Sequence, residues 1–396
     1  MNILYIHQYF KTPEEPGGTR SYWIAKELIK HGHKVTMLTS SNKFKDKIDK
    51  RKIEGIDVIY IGEKYNQKMS IFRRLFAFFN FMIKSTIIAF RQNDIDLVIA
   101  TSTPLTIGFP ALMLKWFKKK PYVFEVRDLW PEVPIQMGAI KNRVLKGAAI
   151  FFEKIIYKNA NHVIALSPGM QDGVLKFISL EKTSMIPNMA KIDEFWPREK
   201  KIQLMEKLEV EIDSFKIVHF GSLGLANGAH SIIDSAKLLK ENNDIEFLFV
   251  GGGSTEDDLK KEVRKNGLTN VKFLGEFSMS DTSEIVNFCD ISIVSFEDIP
   301  ILYTNSPNKL FDSLSAGKPI IVNSAGWTKD LVENYNCGFY VNPKFPNELV
   351  NKILYLKENR ELLMEMAVNS RKLAENNYDK NILTKQFVKV IEKQNV

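Results

Sequence analysis

The chain has 396 residues, of which 44% are hydrophobic and 26% charged. That length exceeds one ordinary core, since single cores stop growing near about 250 to 300 residues, and the composition excludes a disordered or low-complexity chain. The net charge of +8 divides into +13 over residues 1–190 and −5 over residues 191–396, so the first half needs an anionic partner, nucleic acid or membrane, that the second does not.

In chain order, "MNILYIHQYF" reads as a first strand, because it lacks the basic start, long apolar run and cleavage site of a signal peptide. Strands are expected at Ile3–His7, Lys34–Leu38, Val58–Ile61, Leu97–Ala100, Tyr122–Val126 and Val163–Leu166, with helices such as Ser21–Lys30 and Leu105–Phe117 between them. After a polar linker near 188–213 the pattern restarts. Lys216–Phe220, Phe247–Val250, Val271–Leu274, Ile291–Ser295 and Pro319–Asn323 are strands, and Ser231–Leu239, Asp257–Lys265 and Pro307–Ala316 are helices. A charged helical tail runs from about Asn347 to Lys393. Strands alternating with helices predict two doubly wound parallel sheets, with binding in the cleft beyond the strand carboxyl ends.

The most informative stretch is "SPNKLFDSLSAGKPI" (306–320). Ser306 is placed to cap a helix that starts near Pro307 and stops at Gly317. Free amides at a helix N-terminus attract phosphate, and Lys309 in the first turn adds a full charge. Asp312 lies five residues past Pro307, about 7.5 Å along the axis, near the distance from a pyrophosphate to its ribose hydroxyls. A capped surface helix with a Lys309–Asp312 ion pair is the alternative.

Gly17 and Gly18, between the first strand and first helix, allow close approach of backbone amides to a phosphate, although the spacing is not GxGxxG. "VFEVRDLWPEVP" (123–134) gathers Arg127, Asp128, Trp130 and Glu132 at a strand end, as a ligand site or with Arg127 and Asp128 as a structural pair. "FGSLGLANG" (220–228) offers Gly221 and Ser222 as a phosphate-facing loop or a plain turn, and "LFVGGGS" (248–254) reads as a helix-initiating turn. His7 ends the first strand, a structural histidine or a cleft residue. The spacing of the histidines and of Cys289 and Cys337 supports no metal site, disulfide framework or nucleophilic serine motif. The stretch "MSIFRRLFAFFNFMIKSTIIAFR" (69–91) sets Phe72, Phe76, Phe79 and Ile83 beside Arg73, Arg74 and Lys84, and "LKWFKKK" (114–120) adds further lysines. These read as helices lying on an anionic membrane surface, or as core helices with a solvated basic face. No run is apolar and long enough to span a membrane. No nucleic-acid-binding motif accompanies the basic patches, so no nucleic-acid partner is expected.

The order of "GGTRSYWIAKELIKHGHKVTMLTS", "VRDLWPE", "IPN" and "SPNKLFDSLSAGKPIIVN" resembles family 4 retaining glycosyltransferases of the GT-B fold. It is closest to the fucosamine transferase-like branch of O-antigen, capsule and colanic acid (lipopolysaccharide and polysaccharide) biosynthesis. The resemblance implies two Rossmann-like domains facing a central cleft. They would be an acceptor-side domain with a basic membrane-facing surface over 1–190, a nucleotide-sugar-binding domain over 191–375, and a C-terminal helix, 376–396, packing back on the first domain. It implies that Gly17 and Gly18 contact the donor diphosphate or its sugar, that Lys309 contacts the phosphates and that Asp312 binds ribose. Gly221, Ser222, Ser306 and Asn308 would join them in donor binding, Arg127 and Asp128 would share catalysis with Lys309, and Glu132 and Trp130 would face the acceptor.

The pattern departs from the family at Thr304, where the first acidic residue of a Glu, seven residues, Glu motif falls. It departs again at Arg127, in place of a histidine, and near Ser222 and Asn227, in place of an arginine and a lysine. The resemblance implies transfer of a sugar, an amino or 6-deoxy sugar on UDP, to a lipid-linked or membrane-proximal saccharide acceptor. No cofactor or metal is implied, and the setting would be cytoplasmic, peripheral to the inner face of the plasma membrane. A non-hydrolysing nucleotide-sugar epimerase and an inactive nucleotide-sugar-binding protein are the alternatives on the same fold.

Overall fold

A computed structural model describes residues 1–15, 17–44, 48–63, 69 and 71–394, the side chains of Ile71 and Phe72 excepted. The side chain of Phe72, expected on the membrane-facing stretch, and residues 395–396 of the expected terminal helix therefore lie outside what is described. Two compact units emerge. The first holds Met1–Thr12, Gly18–Pro187 and Asn381–Val396, the second Pro13–Gly17 and Asn188–Lys380. The boundaries expected at 190 and 375 thus fall a few residues inside the second unit.

Among the described residues the first unit has one sheet built from β1 (Asn2–Ile6), β2 (Lys34–Ser41), β3 (Ile48–Ile53), β4 (Ile56–Gly62), β5 (Leu97–Thr101), β6 (Tyr122–Val126), β7 (His162–Ala165) and β8 (Thr183–Met185). Their order is β3-β4-β2-β1-β5-β6-β7-β8, parallel throughout except for the β3–β4 pair. Ile3 to Ile6, Leu97 to Ala100 and Val123 to Val126 are buried on both faces, which is why these strands read as unbroken apolar runs. β3, "IDKRKI", was not legible that way. It is a charged edge strand, guarded against further pairing by its lysines and arginine, and Glu54–Gly55, both at positive φ, close its hairpin with β4.

The second unit's sheet, from β9 (Phe215–Phe220), β10 (Ile245–Val250), β11 (Val271–Gly275), β12 (Ile291–Val294), β13 (Ile320–Val322) and β14 (Gly338–Tyr340), is parallel throughout in the order β11-β10-β9-β12-β13-β14. β8 and β14 have three residues each, too few for a periodic signal. In each sheet the strand order reverses beside the first strand, between β1 and β5 and between β9 and β12. A crevice opens at such a reversal beyond the strand carboxyl ends.

The helix expected over Pro307–Ala316 spans Asn308–Ser315. Pro307 is extended, with φ −77° and ψ 134°, and no side chain caps the helix. Ser306 is therefore not its cap: its hydroxyl accepts from the backbone N–H of Asn188, and its carbonyl from the Asn188 amide. Nor is this a surface helix, since every side chain from Lys309 to Ser315 is buried. No helix among the described residues is long and apolar enough to cross a membrane.

Candidate active site

Beyond the carboxyl end of β9 the chain turns sharply at Gly221, whose φ of 101° favours glycine. The turn packs on the loop after β10. A methyl group on Gly251 would lie 2.0 Å from the Gly221 carbonyl oxygen, and Leu223 donates from its backbone to Gly252 at 2.9 Å. The closely packed glycine loops leave room for Lys309 to arrive from the first turn of its helix. Its Nζ donates to Nε2 of His219 at 3.0 Å and to Oδ1 of Asn227 at 3.2 Å. No carboxylate pairs with it among the described residues, so the expected Lys309–Asp312 alternative is absent.

Burial pushes the Lys309 ammonium down to about 7. Burial, reinforced by Lys309, holds His219 well below the usual imidazole range, so the ring is a neutral acceptor. A buried ammonium held by two neutral groups strongly favours an incoming anion, which would restore the charge that desolvation has weakened. Ser222 and Asn308 are half-buried beside this loop and helix entry.

One turn further on, Asp312 meets Lys191 at 2.7 Å and is nine-tenths buried. Desolvation pushes its carboxyl above the ordinary range, opposed by Lys191. Lys191 in turn lies 5.6 Å from the centre of the Phe195 ring. His219 and Lys191 carry no role in the sequence reading, whereas Asn227 enters it as the place of an expected lysine and Asn188 as the end of the "IPN" motif. The available signal was positional: His219 lies near the end of the first strand of its unit, as His7 does in the other.

In the first unit, Arg127 follows β6, and one of its guanidinium nitrogens, Nη1, reaches Nε2 of His7 at 3.2 Å. The other ring nitrogen of His7 lies 2.6 Å from the Ser21 hydroxyl. Asp128 is not paired with Arg127: its carboxylate accepts from Thr103 Oγ1 at 2.7 Å, and desolvation raises its pKa against the pull of that bond and of the nearby guanidinium. Trp130 packs edge-on against Phe78, ring centres 6.2 Å apart, and Glu132 accepts from Gln136 at 2.7 Å, so both have structural partners. Gly17 is exposed with φ 130°, and Gly18 is half-buried.

On the outer helix Ile71–Phe90, Phe76 is 71% exposed, and Phe79, Ile83 and Ile87 share its face at helical spacing. Arg73 is exposed and Arg74 half-buried. Lys84 is drawn inward instead, donating to the Gly62 carbonyl at 3.2 Å and lying 3.6 Å from Glu63. Trp116 and Phe117 on the neighbouring helix, Gly108–Lys118, are also exposed, and the two helices meet through Phe90 and Phe117.

Two family models match the chain, Glycosyltransferase Family 4 over residues 17–194 and Glycosyl transferases group 1 over residues 200–373. The chain is similar to "Probable glycosyltransferase WbjE" of Pseudomonas aeruginosa, 24% identical over 79% of this chain and 78% of that protein. It is also 24% identical to the N,N'-diacetylbacillosaminyl-diphospho-undecaprenol alpha-1,3-N-acetylgalactosaminyltransferase of Campylobacter jejuni, over 72% of this chain and 74% of that one. Among solved structures, Anabaena HepE in complex with UDP and glucose superposes with a TM-score of 0.74 at 20% identity, covering 99% of each chain. The fold and the two matched models agree: residues 17–194 match Glycosyltransferase Family 4, residues 200–373 match Glycosyl transferases group 1, and the chain is a glycosyltransferase of the GT-B type.

Proposed function

We propose that the protein moves a sugar, with retention and without a metal, from a UDP-linked amino or 6-deoxy sugar to a lipid-linked saccharide in bacterial surface polysaccharide synthesis, as in the fucosamine transferase-like branch. The observation that carries this reading is Lys309, a buried ammonium with no counter-ion among the described residues, at the switch point of the second sheet. As the bond from the sugar's C1 to the diphosphate oxygen breaks, negative charge grows on the leaving group. Lys309 and the amides at its helix N-terminus meet that charge. The acceptor hydroxyl attacks C1 from the same face, and its proton passes to the departing phosphate oxygen, so no protein nucleophile is needed. Asp312 lies one turn along the helix, where it could meet the ribose hydroxyls while paired with Lys191.

The relatives support the substrate classes. One carries a diphospho-undecaprenol acceptor in its name and transfers an N-acetylated amino sugar, and HepE was solved with UDP and glucose. The exposed Phe76, Phe79, Ile83 and Ile87 face, beside Arg73, supports contact with an anionic membrane where such an acceptor resides. The direct test is a thermal-shift screen against nucleoside diphosphates with wild type and Lys309→Ala, followed by transfer from the stabilising donor to a lipid-diphosphate saccharide in the presence of a chelator. The expected result is a UDP-dependent shift lost in the variant and a product of unchanged anomeric configuration. No shift with any nucleotide, or product formed from donor alone as in an epimerase, overturns it. Flotation with anionic vesicles tests the surface: Phe76→Glu should lower the bound fraction, and equal flotation of both proteins removes the membrane assignment.

A further inference from the structure

The first unit contains two arginines near the same strand, and the chain treats them in opposite ways. Arg20 is fully buried and fully answered: Nε pairs with Glu125 at 2.8 Å, Nη2 donates to the Ile186 carbonyl at 3.0 Å, and Nη1 to that of Pro187. Arg127, two residues beyond Glu125, receives one neutral imidazole. Asp128, beside it in sequence, is turned to Thr103, and the Arg127 backbone N–H is taken by the Ser102 hydroxyl at 2.9 Å. Among the described residues no acceptor meets Nε or Nη2, and the residue is half-buried at the β1–β5 reversal.

The hydrogen positions follow from the chemistry. A guanidinium can only donate, so Nε2 of His7 accepts, Nδ1 carries the hydrogen and donates to Ser21 Oγ. Ser21 lies in the first turn of the helix Arg20–Lys30, which fixes the ring from the side away from Arg127. Burial and the adjacent guanidinium hold His7 well below the usual imidazole range, so it stays neutral. A carboxylate in its place would orient the guanidinium more tightly and also cancel its charge. A neutral acceptor orients without cancelling.

We infer that Arg127 forms a second anion site, in the first unit, that takes a phosphoryl group of one substrate, and that His7 is the positioning residue which keeps that guanidinium aimed and uncompensated. The inference rests on the glycosyl-transfer reading for the identity of the anion. A phosphoryl group could come from the donor diphosphate or from a diphosphate-linked acceptor, and the kinetics distinguish the two.

The test uses the full-length protein. With Lys309→Ala disabling the other cation, calorimetric titration with inorganic pyrophosphate should show residual binding that adding Arg127→Gln removes. The absence of residual binding, or its survival in the double variant, overturns the second site whether or not transfer has been demonstrated. In steady-state assays Arg127→Gln should raise KM by about tenfold or more for one substrate. A rise for the acceptor assigns its phosphate to Arg127, and a rise for the donor assigns the donor diphosphate. Unchanged KM for both overturns the inference.

His7→Gln and His7→Glu separate positioning from mere support. Gln keeps a neutral acceptor and should retain most of the affinity, whereas Glu, the stronger partner for an arginine, should reproduce the Arg127→Gln rise. Equal KM values for Gln and Glu would reduce His7 to a packing role. Should His7→Glu fail to fold, Ser21→Ala, which releases the tautomer, should raise the same KM about threefold, and an unchanged KM would again leave His7 as packing alone.

Discussion

At the end of the first strand of each unit a buried, neutral histidine faces a cation: His7 meets Arg127 at 3.2 Å, and His219 meets Lys309 at 3.0 Å. The two cations differ in what burial does to them. A guanidinium keeps its charge at any pH the protein meets, and Arg127 stands half-buried with donors to spare. Lys309 is 8% exposed, and desolvation has brought it down to about 7. The first unit therefore presents a standing charge, and the second a charge completed when an anion arrives. Affinity at Lys309 is coupled to the proton on its own ammonium.

Removing the conditional charge should have the largest effect. Lys309→Met should lower transfer by about 10³-fold and abolish the UDP thermal shift, because the developing charge on the leaving group loses its nearest cation. Near wild-type turnover would erase the contrast between the two sites. Next in size is Asp312→Asn, which leaves Lys191 buried beside a neutral amide. Urea unfolding should show a loss of about 3 kcal/mol, and a loss below about 1 kcal/mol would mean that Lys191 finds water instead.

The pH dependence sharpens the comparison further. UDP binding needs protonated Lys309, so its Kd should be flat below about pH 7 and rise by up to about tenfold per pH unit above it. Because the folded pKa is depressed, the unfolded chain binds a proton that the free native protein lacks above pH 7. Stability of the free protein should consequently gain with rising pH from about 7 toward the ordinary lysine value. Calorimetry and thermal melts should show both trends in wild type and neither in Lys309→Met. The smallest effect belongs to Gly221→Ala. A methyl group there would meet Lys309 Cε at an ordinary 3.7 Å, so the φ of 101° is the main penalty, about 1 kcal/mol by thermal melt with a few-fold rise in donor KM.

The sequence alone was sufficient for the buried parallel strands, because an unbroken apolar run such as "LVIA" in β5 has few other uses. It failed at β3, whose charges protect an edge and so disguise a strand. The helix carrying Lys309 and Asp312 was visible from Pro307 and Gly317. Its partners were not, since His219 lies 90 residues from Lys309 and Lys191 lies 121 from Asp312. Ser306 was misread as a cap because its sequence position fits one, while the hydroxyl is engaged by Asn188, 118 residues away. Distant pairing of this kind leaves no local pattern. The repeated histidine near each first-strand end was the one local clue to it.

The assignment of Asn381–Val396 to the first unit bears on how the protein is made. At ordinary synthesis rates, residue 381 leaves the ribosome roughly 10 to 40 s after residue 187. Throughout that interval the first unit lacks the helix Lys380–Glu392, whose Leu383, Phe387, Val388 and Ile391 are buried in the finished protein. The nascent chain must carry an uncovered apolar surface while the whole second unit is synthesised, a natural point for a chaperone to engage it. A truncation after Lys380 would make that waiting state permanent.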